Sequence, residues 1–313
     1  SMAKAQNPNL EILEICAHAL GPLCDELVFL GGCVTALLIT DAAAAPVRVT
    51  RDVDVLAEVA TTAEYHKLEK RLRERGFEVD SSKDAPVCRW TGHGILLDVM
   101  PTDDRILGFG KTWYRSAVSS SVPYRLPSGA QIRLIDPVHF IATKLEAFAG
   151  RGENDFVMGH DLEDVICVID GRPELEQEIA DSAREVRSFI GGNLRTLLSN
   201  RRFIDALPGH LPGDAGSQAR LPMLKEKLER LAASMKVVQI PSGSATPLAS
   251  SMLYSGGSGR ARRRSTASTW SSLIWQHTHP LARLILSSST PTTSSASMLI
   301  GPKSLTRTPT RSP

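Results

Sequence analysis

Apolar residues in this chain follow two spacings, one typical of strands and one typical of helices. Short, nearly continuous apolar runs predict buried strands at 27–30, 47–57 and 95–100. Glycine-containing turns predict hairpins that pair 87–90 with 95–100 and 124–126 with 132–134. Helical spacing predicts helices over 8–20, 33–39, 63–75, 137–149, 160–170, 174–198 and 221–236. The pattern predicts an α/β protein, with a mixed sheet and flanking helices followed by a helical C-terminal half.

The composition of the chain changes after residue 236. Residues 237–313 contain 18 serines and eight Lys or Arg but no Asp or Glu, whereas 1–236 contain 28 basic and 34 acidic residues. This composition is typical of a disordered or linker tail, and the absence of acids is also typical of out-of-frame translation. We expect a mixed domain at 1–135, a helical domain at 136–236 and a low-complexity basic tail at 237–313.

No apolar stretch of the chain reaches the roughly 18 residues that a membrane span needs, and no signal-type apolar block opens it. We therefore expect a soluble, cytoplasmic protein with no membrane partner. The five cysteines are odd in number and show no CxxC spacing, so they indicate neither a zinc site nor a disulfide framework.

Two aspartates, Asp52 and Asp54, lie one residue apart on the strand predicted at 47–57, so their side chains point to the same side. The alternation places Val47, Val49, Val53 and Val55 on one face and Arg48, Thr50, Asp52 and Asp54 on the other. Two aligned carboxylates can share a metal ion. A strand whose polar face is simply in solvent would show the same pattern.

A third aspartate, Asp98, interrupts the apolar run at 95–100. Because an unpaired acid between apolar neighbours is costly, Asp98 is expected to have a cationic partner. That partner is either a metal shared with Asp52 and Asp54 or a salt bridge, for example with Arg89 on the preceding strand. Three carboxylates around divalent cations are suited to phosphoryl or nucleotidyl transfer.

Two glycines, Gly31 and Gly32, end the apolar run at 27–30. Glycine leaves room for a backbone to approach a phosphate, and amides at the start of the next helix can donate to its oxygens. An ordinary tight turn would explain the same pair of residues. Cys33, which follows, is more typical of a packed thiol than of a reactive one.

Taken in order, Gly31-Gly32, the segment RVTRDVD at 48–54 and Asp98 resemble the DNA polymerase β-type nucleotidyltransferase superfamily, in its AbiEii/AbiGii-like branch of type IV toxin–antitoxin toxins. Residues 144–152 and 160–166 resemble that branch's lysine helix and the acidic helix start after it. Many superfamily members have Ser where this chain has Cys33, so a hydroxyl is replaced by a weakly donating thiol.

The resemblance implies the nucleotidyltransferase fold and a Mg²⁺-dependent or Mn²⁺-dependent enzyme that uses an NTP as substrate. It implies that Asp52, Asp54 and Asp98 are the catalytic residues and the metal ligands. It implies nucleotide contacts from Gly31, Gly32, Cys33, Arg51, Lys144, Arg151 and Asp161. Simpler interpretations are that Lys144 and the arginines lie on the surface and that Asp161 complements a helix dipole.

The reaction implied by the resemblance is transfer of an NMP from an NTP to an acceptor, either an RNA such as tRNA or a protein. The branch also implies a toxin with a cognate antitoxin as partner. Since residues 1–236 are net acidic, an RNA-binding patch would have to be local. The alternative is a non-catalytic nucleotide-binding or interaction module of the same fold, against which the retention of three mutually repelling acids argues.

Overall fold

The computed structural model describes residues 7–108, 110–150 and 155–233. All of them belong to the first of two compact units, Ser1–Gly243. Arg151 and the tail predicted at 237–313 lie outside the described residues, and the division of the chain at residues 135 and 236 stays a prediction. In the part of the chain that the structure describes, no helix is both long and apolar enough to cross a membrane.

One seven-stranded sheet organises the described residues. Its strands are β1 (Leu27–Leu30), β2 (Asp52–Ala57), β3 (Glu78–Val79), β4 (Arg89–Gly92), β5 (Ile95–Pro101), β6 (Val122–Arg125) and β7 (Gln131–Leu134). Their order across the sheet is β3-β4-β5-β2-β1-β7-β6. The β2/β5 and β1/β7 pairs are parallel and the other pairs are antiparallel. The sheet is therefore mixed, as the apolar pattern predicts.

Helices flank this sheet and make up most of the C-terminal half. They are α1 (Leu10–Leu20), α2 (Thr35–Leu38), α3 (Thr62–Glu74), α4 (Asp104–Leu107), α5 (Tyr114–Ser119), α6 (Pro137–Gly150), α7 (His160–Gly171), α8 (Leu175–Asp181), α9 (Arg184–Ser199), α10 (Arg201–Ala206), α11 (Ala215–Gln218) and α12 (Leu221–Ala233). The single helix predicted at 174–198 is two helices, because Ser182 adopts an extended conformation that ends α8. The predicted α/β class is confirmed.

Helix α3 shows how local sequence signals attach a helix to the sheet. Thr61 and Glu64 form a capping box at its start, in which the Thr61 side chain accepts from the Glu64 amide and the Glu64 carboxylate accepts from the Thr61 amide. Tyr65, Leu68 and Leu72 form its buried face, and the Tyr65 hydroxyl donates to the backbone oxygen of Val99 on β5 at 3.3 Å. This contact fixes α3 against the strand that carries Asp98.

Strand β2 begins at Asp52, five residues later than the sequence predicts. The buried side chain of Asn9 pairs with the preceding segment as a neighbouring strand would: its Nδ2 donates to the Arg48 oxygen at 3.0 Å, and its Oδ1 accepts from the Thr50 amide at 2.9 Å. Val49, predicted to pack, is 69% exposed. Along this segment the Asn9 side chain thus takes the place of a neighbouring strand.

Candidate active site

The register of the sheet places the three aspartates on one face. Strand β2 runs parallel to β5, with Asp54 directly opposite Asp98 and Asp52 opposite Leu96. Residues two apart on a strand share a face, so Asp52 projects on the same side as Asp54. The other side of β2 carries Val53 and Val55, both fully buried. Asp52, Asp54 and Asp98 therefore lie together, as the sequence pattern predicts.

A guanidinium group joins this set of carboxylates. Arg89 lies opposite Asp98 on the neighbouring strand β4. Its Nε donates to Asp98 Oδ1 at 2.8 Å and its Nη2 donates to Asp98 Oδ2 at 2.7 Å. The same Nη2 also donates to Asp52 Oδ2 at 3.2 Å. The salt bridge that sequence reasoning considered for Asp98 is therefore present, and we call Asp52, Asp54, Asp98 and Arg89 the sheet cluster.

The aspartate at the centre of the sheet cluster has an unusual acidity. Burial raises the pKa of Asp54 to about 7, and the nearby negative charges of Asp52 and Asp98 act in the same direction. The ammonium of Lys144 and the guanidinium of Arg89 oppose this rise. In contrast, hydrogen bonding to Asp98 raises the pKa of Arg89, which stays charged. The negative charge of Asp54 is therefore not fully compensated by the cations around it.

The two-glycine loop packs directly on these charged groups. Leu30 pairs with Asp54 in the sheet, so the loop that follows β1 passes beside the Asp54 carboxylate. Gly31 has φ +78°, and a Cβ there would overlap Asp54 Oδ2. A Cβ on Gly32 would overlap the guanidinium of Arg48. Glycine is favoured at both positions because a side-chain group packs closely against the backbone: the Asp54 carboxylate at Gly31 and the Arg48 guanidinium at Gly32.

A second group of charges lies between helices α6 and α7. Lys144 Nζ is 2.7 Å from Asp164 Oδ2 and 3.3 Å from Asp161 Oδ1. Arg48 donates from Nε and Nη2 to the two oxygens of Asp164, at 3.2 and 3.1 Å. Burial alone would lower the pKa of Lys144, but the charges of Asp164 and Asp161 raise it overall. We call Arg48, Lys144, Asp161 and Asp164 the helix cluster.

Other predicted nucleotide contacts are placed differently. Cys33 is completely buried, and its Sγ donates to the Leu30 oxygen at 3.3 Å; burial raises the pKa of this thiol. Its side chain therefore offers nothing to a nucleotide, which leaves only its backbone. Arg51 is exposed. Arg151 lies outside the described residues, as noted above.

Sequence reasoning missed two members of the helix cluster. It placed Asp164 at the acidic start of a helix and Arg48 on the polar face of a strand, both within the motifs that carry the resemblance, but it did not pair them with each other or with Lys144. In the structure Asp164 is 1% exposed as a side chain and binds both cations. The available signal was chemical: an acid one turn after Asp161 on an otherwise apolar helix face needs a buried cation. That cation comes from 116 residues earlier in the chain.

The sheet cluster has donors suited to a divalent ion. Carboxylate oxygens are the ligands that Mg²⁺ and Mn²⁺ prefer, and three ionised carboxylates with one guanidinium carry an excess of two negative charges. Among the described residues, no three His, Cys, Asp or Glu side chains are already arranged as a metal site. Instead, the Arg89 guanidinium donates to both Asp52 and Asp98. The donors fit a divalent ion in kind and in charge.

Comparisons with known proteins give distant structural similarity only. Neither a family model nor a curated protein sequence matches this chain. The structure is similar to JHP933 from Helicobacter pylori, with 14% identity and a TM-score of 0.37 over 74% of this chain and 90% of that one. A protein from the same organism that is provisionally described as a nucleotidyltransferase shows 14% identity and a TM-score of 0.37, over 74% and 93% of the two chains.

The antibiotic-resistance factor ANT(2'')-Ia is also similar, with 14% identity and a TM-score of 0.36 over 60% of this chain and 94% of that one. Similarities at this level carry no argument about activity. The chemistry of the site therefore rests on the side chains of the sheet cluster and the helix cluster.

Proposed function

We propose that this chain is a Mg²⁺-dependent or Mn²⁺-dependent nucleotidyltransferase that moves an NMP from an NTP to an acceptor and releases pyrophosphate. One observation carries the proposal: Asp52, Asp54 and Asp98 share one face of the sheet, with the backbone of Gly31 in contact with Asp54. Such a set of acids beside a side-chain-free loop suits a site where a metal-bound phosphate meets backbone amides.

Each group has a role under this proposal. A bound divalent ion would lower the pKa of the attacking hydroxyl and neutralise charge on the phosphates. Asp52 and Asp54 would hold the ion, and Asp98 would face the acceptor hydroxyl. The Gly31-Gly32 loop would bring its amides to the phosphates. Lys144, whose charge already reaches Asp54, would offset the negative charge of the triphosphate.

The acceptor and the biological role are finer proposals. The resemblance of the motifs to AbiEii-like toxins supports an RNA acceptor such as tRNA, or a protein acceptor. The same resemblance supports a toxin with a cognate antitoxin. These assignments rest on the sequence motifs at 31–32, 48–54 and 144–166.

Label transfer tests the proposed activity. Full-length protein is incubated with Mg²⁺ and each NTP in turn, labelled at the α-phosphate, together with total cellular RNA or total cellular protein. We expect label in one acceptor band, with loss of about 100- to 1,000-fold in Asp52→Asn and Asp54→Asn, a size typical of removing one charge-stabilising group. Asp84→Asn is the matched control, because Asp84 is an exposed acid that is not a member of the sheet cluster.

Two results would contradict the proposal. Equal labelling by wild type and Asp54→Asn would place the activity elsewhere. No label with any NTP and either acceptor pool, while Mg²⁺-dependent NTP binding persists, would favour the non-catalytic nucleotide-binding module.

A further inference from the structure

Arg89 is held in the sheet cluster more firmly than a surface arginine. Its fork binds both oxygens of Asp98, and Nη2 extends to Asp52. Two parallel bonds fix the plane of the guanidinium, and strand pairing fixes the backbone of Arg89 opposite Asp98. The Arg89 side chain is only 20% exposed. The protein thus carries its own cation inside the group of acids.

The Arg89 guanidinium compensates the three acids of the sheet cluster to different extents. Asp98 has both oxygens bonded to Arg89, and Asp52 has one oxygen bonded to it. Asp54 lies closest to the Gly31 backbone and has only through-space attraction from Lys144 and Arg89. The uncompensated negative charge is therefore on the Asp52 and Asp54 side of the cluster. With all three carboxylates ionised, the excess of two negative charges in the cluster equals the charge of one divalent ion.

From this arrangement we infer that Arg89 is a positioning residue that takes the place of a second metal ion while no nucleotide is bound. It fixes Asp98 and neutralises it, so that the protein without nucleotide binds one divalent ion, held by Asp52 and Asp54. A further ion would need the negative charge that an incoming triphosphate supplies. The inference rests on the proposed function, since it concerns the same metal site, but it assigns Arg89 a role that the motifs do not.

Counting bound ions tests this inference without any reaction. Full-length protein is titrated with Mn²⁺ in the absence of nucleotide, and free Mn²⁺ is measured by electron paramagnetic resonance. We expect one ion per chain for wild type and two for Arg89→Met, which keeps the side-chain length but removes the charge. Arg89→Lys should bind one ion because it keeps the charge. Arg125→Met, at an exposed arginine on β6, is the matched control and should bind one.

Several outcomes would overturn the inference. These are no ion or two ions in wild type, no second ion in Arg89→Met, or a second ion in Arg89→Lys. An ion that still binds to Asp54→Asn with wild-type affinity would lie outside the sheet cluster and would also overturn it.

A measurement on wild type covers the case in which Arg89→Met does not fold. Crystals soaked in Mn²⁺ are examined by anomalous diffraction. One peak, with Arg89 still bonded to Asp98, supports the inference, whereas two peaks or a displaced Arg89 contradict it. Because neither measurement uses an NTP, failure of label transfer leaves the metal count unchanged, and a wrong metal count leaves label transfer unchanged.

Discussion

The sheet cluster and the helix cluster use the same kinds of side chain but balance their charges differently. In the helix cluster two cations face two carboxylates, and the shared acid Asp164 is 1% exposed. In the sheet cluster one cation faces three carboxylates, and Asp52 is 40% exposed. Burial of charge requires compensation within the protein, which the helix cluster has and the sheet cluster lacks. The difference supports the proposal that a ligand binds at the sheet cluster rather than at the helix cluster.

Lys144 lies where the two clusters meet. Its hydrogen-bonded partners belong to the helix cluster, yet its charge also opposes the rise in the pKa of Asp54. The helix cluster therefore positions the ammonium group of Lys144 so that its positive charge acts on the sheet cluster. An Asp→Asn substitution should therefore change the free energy of unfolding differently in the two clusters.

The largest effect is expected at Asp164. Asp164→Asn would leave Lys144 and Arg48 buried without their shared acid, and breaking such a pair typically lowers the free energy of unfolding by about 3 to 5 kcal/mol. Urea denaturation measures the loss. Glu163→Gln is the matched control, because Glu163 lies 3.9 Å from Arg48 on the same helix but is 35% exposed. The control should lose less than about 1 kcal/mol; equal losses would mean that the helix cluster is not a closed unit.

A smaller loss is expected at the loop beside Asp54. Gly31→Ala would place a Cβ against Asp54 Oδ2 at a backbone conformation that favours glycine. Gly94→Ala is the control, since Gly94 has the same φ of +78° but no atom within 4 Å of the added Cβ. We expect Gly31→Ala to be about 2 kcal/mol less stable than the control, as overpacking typically costs 1 to 3 kcal/mol. Equal stabilities in thermal denaturation would contradict the close approach.

The two clusters also differ in how far the sequence predicts them. Asp52, Asp54 and Asp98 stand in short apolar runs, where strand periodicity alone sets the face on which each side chain projects. Even the pairing of Asp98 with Arg89 could be considered, because a tight hairpin brings those two strands together. The sheet face was therefore predictable from local pattern.

The helix cluster depends on contacts that no local pattern encodes. Residues 48–50 lie outside the sheet, where the Asn9 side chain bonds to their backbone as a strand partner would, and from this position Arg48 bonds to Asp164. The strand period predicted for 47–51 was wrong for that reason. A polar residue forty positions away decided the conformation, and neither hydropathy nor turn signals record such a contact.

The helix that carries Lys144 should respond to acid. Asp136 caps α6 by accepting from the amides of Val138 and His139. Burial acts to raise the pKa of Asp136, but hydrogen bonds from His139 and Ser120 lower it overall. Because the folded pKa lies below the unfolded one, this stabilisation is present above about pH 4 and is lost as the pH falls through the folded pKa. Asp136→Asn, which keeps a capping oxygen, should remove this dependence.

We expect wild type to lose about 1 kcal/mol more than Asp136→Asn between pH 5 and pH 3, the size of one hydrogen-bonded cap. Denaturant melts at both pH values measure it. Asp84→Asn, at an exposed acid, should follow wild type. Parallel pH profiles of wild type and Asp136→Asn would show that the acid does not support α6.

The smallest effect, and the one with opposite sign, is expected at Asp54. Asp54 faces Asp98 across neighbouring strands, and like charges in that position typically destabilise a sheet by up to about 1 kcal/mol. Asp54→Asn should therefore raise the free energy of unfolding without metal at pH 8, whereas Asp164→Asn lowers it. Adding Mg²⁺ should stabilise wild type and not Asp54→Asn, because the proposed site needs the Asp54 carboxylate as well as Asp52 to bind the ion. If both substitutions destabilise the metal-free protein, the sheet cluster is already balanced and has no charge left for a ligand to complete.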